Sequence, residues 1–71
     1  MYTGKVVSFS FKKGFGFIEF YKDEIKQPDM FVWYEDILHD GFKVLYPGQV
    51  VEFEIEKYKD KDKAINVRVI V

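Results

Sequence analysis

Apolar residues in this chain come in short stretches that alternate with polar ones, and no stretch repeats with a helical period. Breaks at residues 22–29 (KDEIKQPD), around Gly41, at Pro47-Gly48 and at residues 57–63 (KYKDKDK) leave five apolar segments: 5–11, 14–20, 30–34, 50–56 and 64–71. Each is rich in Val, Ile, Phe and Tyr. Successive side chains of a strand point to opposite faces, so this alternation predicts strands with one buried and one exposed face. Seventy-one residues make a single domain, 1–71, near the size at which one hydrophobic core is only just sufficient. Five short strands with no room for a second sheet predict an all-β, antiparallel closed barrel.

Parity assigns the faces. In the second segment Lys13, Phe15, Phe17 and Glu19 share one parity, and Gly14, Gly16, Ile18 and Phe20 the other. Lys and Glu are almost never fully buried, which puts Phe15 and Phe17 on the solvent side with them. The third segment repeats this, with Asp29, Phe31, Trp33 and Glu35 on one parity and Met30, Val32 and Tyr34 on the other. The fourth is conventional: Val51, Phe53 and Ile55 alternate with Glu52, Glu54 and Glu56. The expected core is Val6, Ile18, Val32, Val51, Phe53, Ile55, Ile65, Val67 and Val69.

The chain carries eight Phe, five Tyr and one Trp, more rings than a core of this size can enclose. A contiguous exposed apolar patch usually marks a binding site. This patch is made of flat rings with Lys5, Lys12 and Lys13 at its rim, and Phe9 or Phe11 at its edge. Flat rings beside cations suit nucleobases and phosphates. The formal net charge of −1 excludes a strong basic field, but the distribution is uneven: residues 1–20 hold three lysines against Glu19 alone. Tyr2, Tyr21, Tyr46 and Tyr58 read as ordinary barrel-cap or surface residues, residues 57–63 as a solvated hairpin loop, with contact of its lysines to phosphate the lesser alternative, and His39 as a loop residue.

Other classes find little support. Ser8, Ser10, Thr3 and scattered carboxylates form no recognisable catalytic set, so no enzymatic activity is expected. The glycines of residues 13–20 open no helix and so form no phosphate-cradling loop. No metal, cofactor or membrane partner is implied. The absence of cysteine, of a long apolar run and of a signal segment fits a soluble cytoplasmic protein. The rival use of the same patch is contact with a peptide or with a second copy of the chain.

At this point the motifs carry a resemblance. KGFGFIEF (13–20) resembles the RNP1 motif of cold-shock domains, and MFVWY (30–34) resembles their RNP2 motif, usually close to V-F-V-H-F. Gly4-Lys5-Val6, Gly41-Phe42-Lys43, Gly48-Gln49-Val50, Phe53-Glu54-Ile55 and Asn66-Val67 stand in family order. The RNA-recognition motif also uses RNP1, but there RNP2 comes first and two helices separate the strands; neither holds here. The resemblance implies an OB-like five-stranded barrel that binds single-stranded RNA or DNA with a leaning toward pyrimidines and serves as an RNA chaperone; a monomer is expected. Carried over by position, Phe15, Phe17, Phe31, Trp33, Tyr34 and Phe42 would stack on bases, Lys13 would meet phosphate, and Asp29 would accept from a base edge. The chain departs from the family in three places. Val7 and Ser8 stand where a basic residue and an exposed Trp are common, Trp33 stands where His is usual, and the loop at 22–29 is a few residues longer. These departures predict a footprint shifted away from the first strand.

Overall fold

In the computed structural model, residues 1–38 and 43–70 are described; the expectations placed on His39, Gly41 and Phe42 lie outside them. The elements are β1 (Tyr2–Ser10), β2 (Phe15–Lys22), β3 (Ile25–Lys26), β4 (Met30–Trp33), a 3-10 turn (Tyr34–Asp36), β5 (Val50–Tyr58) and β6 (Lys61–Val69). Neighbouring strands follow the order β1-β5-β6-β4-β2-β3, and β1 also pairs with β2. That last pairing closes β1, β2, β4, β5 and β6 into a five-stranded barrel, leaving β3 as a short flap on β2. Among the described residues the strand pairings are antiparallel except one, and an isolated bridge between Ile37 and Val67 is also parallel. β4 runs parallel to β6, with Phe31 opposite Lys63 and Val32 opposite Ala64, so the wholly antiparallel expectation is corrected at this seam, which joins strands far apart in sequence.

The core is Val6, Ile18, Phe20, Met30, Val32, Ile37, Leu45, Val51, Phe53, Ala64 and Val67. Ile55 and Val69 are half-buried and pack against it. Ile65, expected inside, is only half-buried, and Ala64 takes the interior position instead. The cause is a bulge. Glu52 pairs with Arg68 and Glu54 with Ile65, so β6 spends one more residue than β5 across this step. Asn66 absorbs it at φ 51°, a left-handed conformation that Asn tolerates better than most residues. A bulge reverses parity along the strand, turning Ile65 outward while Val67 stays in.

A second bulge shapes β1. Val6 pairs with Ile18 and Ser8 with Phe17, leaving Val7 as the extra residue. Both Val6 and Phe9 therefore turn inward. The Val6 backbone groups bond to the segment before β5 instead, Val6 N–H donating to the Gln49 carbonyl at 2.9 Å and Gly48 N–H to the Val6 carbonyl at 2.9 Å. Gly16 lies opposite Phe9. A Cβ there would fall on the Ser8 carbonyl and come within 2.8 Å of Phe9 Cα. The glycine inside β2 is thus a site of close backbone approach, as strand glycines often are.

Candidate nucleic-acid interface

Cross-strand register builds the outer face row by row. Ser8 stands opposite Phe17, Phe17 opposite Phe31, and Phe31 opposite Lys63. The next row is Ser10, Phe15 and Trp33. Residues directly opposite on one face are the units of contact in a sheet, and here they form a continuous cluster. Phe15 and Phe31 stack at 5.6 Å between centroids and 30° between planes. Phe17 meets Phe15 at 6.2 Å and Phe31 at 6.1 Å, both edge to face. These geometries are the favoured ones for aromatic pairs. Each ring is steadied by its neighbours while part of its surface stays open: Phe15, Phe31 and Trp33 are half-buried and Phe17 is 36% exposed.

The turn between β1 and β2 seats the cations. Ser10 Oγ accepts from Lys13 N–H at 3.1 Å, and the Ser10 carbonyl accepts from Gly14 N–H at 2.7 Å. Gly14 adopts φ 76°, and a Cβ would come within 2.8 Å of Tyr34 Cδ1. Its absence lets the Tyr34 ring lie against the turn, where Tyr34 N–H donates to the Gly14 carbonyl at 2.8 Å. Lys12 and Lys13 are exposed at this end of the face. Tyr34 had the wrong parity for the site, but it belongs to the 3-10 turn rather than to β4, and strand alternation no longer governs it. It is 39% exposed, packs on Trp33 at 5.1 Å, and donates through its hydroxyl to Glu35 Oε1 at 3.2 Å. That hydrogen bond and the charge of Glu35 hold the phenol above its ordinary range.

The remaining sequence-predicted residues are more dispersed. Phe9 is half-buried against the core and lines a small groove with Lys12, Lys13, Tyr34 and Lys43. Lys5 is exposed on the outer face of β1 but lies opposite Glu19, whose carboxylate pairs with Lys26 at 3.3 Å. Asp29 is exposed and lines a separate groove with Tyr2, Phe20 and Lys22. The opposite margin is formed by a segment read from the sequence chiefly as a solvated loop. Residues 57–63 are mostly strand, with only Lys59 and Asp60 at the turn between β5 and β6. This hairpin brings Tyr58 and Lys63 beside Phe31 and Trp33. Lys63 Nζ is 3.2 Å from Asp36 Oδ2, an ion pair without hydrogen-bond geometry at that oxygen, and it ties the hairpin to the 3-10 turn.

A closed five-stranded barrel with rings turned outward and lysines at their margin defines an OB-like nucleic-acid-binding domain. The comparisons narrow the class. The family model for the 'cold-shock' DNA-binding domain matches residues 2–70. A cold shock-like protein of Thermotoga maritima is 49% identical over 67 residues, covering 94% of this chain and 96% of that one. A cold shock-like protein of Aquifex aeolicus is 42% identical over 69 residues, 97% and 94% of the two chains. The major cold shock protein CspA of Bacillus cereus is 46% identical over 65 residues, 92% and 91%. The chain belongs to the cold-shock domain family, a family of non-enzymatic nucleic-acid-binding domains.

Proposed function

We propose that this chain binds single-stranded RNA or DNA by stacking successive bases on Phe15, Phe17, Phe31, Trp33 and Tyr34, with Lys12 and Lys13 meeting phosphates, and that it serves as a cytoplasmic RNA chaperone. The observation that carries this reading is the cluster of rings on the outer face of β2 and β4. Phe42, Asp29, Lys5 and Phe9 extend the proposed footprint. Stacking on an aromatic ring contributes roughly 1–3 kcal/mol per base, so about four rings account for most of a micromolar affinity, which is about 8 kcal/mol. A protein that binds only the open strand shifts a hairpin toward melting by mass action and needs no ATP. Flat π-faces accept any base, giving weak sequence discrimination; the leaning toward pyrimidines rests on the family resemblance alone. The free chain is a monomer in this reading, because a dimer formed through the patch would cover the rings.

The test is titration with heptathymidine, following the fluorescence of Trp33, the only tryptophan. Saturable quenching is expected, with log K falling against log salt at a slope of about −2 if about three lysines neutralise phosphates. Absence of quenching at high micromolar strand, together with a mass that rises with concentration, would overturn the reading in favour of self-association through the patch.

A further inference from the structure

The outward parity of β5 reads Glu52, Glu54, Glu56 and then Tyr58. Carboxylates give way to a ring at the point where the hairpin comes alongside the aromatic face. Tyr58 is 54% exposed. A groove of about 570 Å³ runs between it and the pair Phe17 and Phe31, and a second of about 330 Å³ runs between it, Phe31 and Trp33. Tyr58 is therefore a wall shared by two grooves, each with a ring of the site already described on its other side.

The charges around it complete the picture. Lys59 and Lys63 hold their ammonium groups 5.4 and 5.2 Å from the Tyr58 ring centroid, within the range of cation–π attraction. Lys61 stands opposite Tyr58 across the hairpin. Lys63 is committed to Asp36, while Lys59 and Lys61 are exposed and have no ion-pair partner among the described residues. Asp62 is the one carboxylate lining the larger groove. Of the two ammonium groups over the ring, that of Lys63 is held by Asp36, while that of exposed Lys59 is free to yield the π-face to a base and turn to a neighbouring phosphate. At the β1 end of the same row the small side chain of Ser8 stands next to Phe17 and offers no such face.

We infer that Tyr58 is a further base-stacking platform, and that with Lys59 and Lys61 it extends the single-strand path from Phe31 onto the β5–β6 hairpin. This rests on the single-strand reading above. Heptathymidine titration of the full chain, read by Trp33 quenching, is the test, with Tyr58→Ala and Tyr58→Phe beside the unchanged protein. The expected result is an approximately tenfold rise in Kd for Tyr58→Ala, within the span of one lost stack, and a change of about twofold or less for Tyr58→Phe, which keeps the ring. Melting temperatures should stay together, since Tyr58 contributes nothing to the core. Irradiation of a heptamer carrying 5-iodouracil should give a peptide adduct at Tyr58 by mass spectrometry. Normal quenching with Tyr58→Ala at unchanged Kd would overturn the platform and leave the single-strand reading standing. Failure of the unchanged protein to quench would overturn both.

Discussion

The outer faces of β2–β4 and of β5 belong to one barrel and alternate in the same way, yet one displays Phe15, Phe17, Phe31 and Trp33 and the other Glu52, Glu54 and Glu56. Their inner faces are interchangeable in kind: Ile18 and Val32 on one side, Val51 and Phe53 on the other, all fully buried. Closing the barrel therefore requires only the inward parity. The outward parity is free to vary, and it is used for water on β5 and for rings on β2 and β4. Glu54 and Glu56 on β5 are exposed carboxylates, which disfavour a polyanion on that side of the barrel.

The sharpest way to break this comparison is to exchange an inward ring for an outward one. Phe53→Ala should cost about 3–5 kcal/mol of stability, the usual cost of emptying a buried aromatic site. That removes a large part of what a domain of this size possesses, and thermal unfolding should show a midpoint lowered by roughly 12–40 °C. Gly16→Ala should follow, losing about 1–3 kcal/mol, because the added methyl meets the backbone of β1. A Gly16→Ala protein melting like the original would mean that β1 yields without cost. Phe31→Ala should instead lower affinity for heptathymidine by about 1–3 kcal/mol with a much smaller loss of stability. If its stability loss matched that of Phe53→Ala, the outer rings would be core and the division of faces would fail.

That division was legible in the sequence for a definite reason. Lys13 and Glu19 bracket Phe15 and Phe17, and Asp29 and Glu35 bracket Phe31 and Trp33, so charge marked the parity of each ring. Where the pattern carried no such marker, or was interrupted, reading stopped. The bulges at Val7 and Asn66 each insert one residue that alternation cannot reveal, because a bulge depends on what the partner strand does. Ile65 was misassigned for that reason. Leu45 and Ile37 are buried from outside the strands, where no alternation exists to announce them. Tyr58 sits among four lysines and two aspartates in residues 57–63. Its nearness to Phe31 exists only once β6 has run parallel to β4, a pairing no local pattern encodes.

The smallest effect distinguishes the two hairpin turns. Asp23 and Glu24 lie at φ 53° and 66°, and Lys59 and Asp60 at φ 48° and 62°. Positive φ at both central residues is the requirement of tight turns that favour glycine at the second position. Replacing the second residue by glycine should relieve up to about 1 kcal/mol at each turn, raising Tm by a few degrees in a domain of this length. Glu24→Gly and Asp60→Gly should thus be alike in melting. In binding they should part, because Asp60 lies beside the lysines of the proposed strand path while Glu24 lies at the tip of the β2–β3 turn. Removing the Asp60 charge should raise affinity for heptathymidine about twofold at low salt, an advantage that fades as salt screens it, and Glu24→Gly should leave affinity unchanged. Equal affinity for the two variants at low salt would mean that the strand does not reach the β5–β6 hairpin and that the aromatic face ends at Phe31 and Trp33.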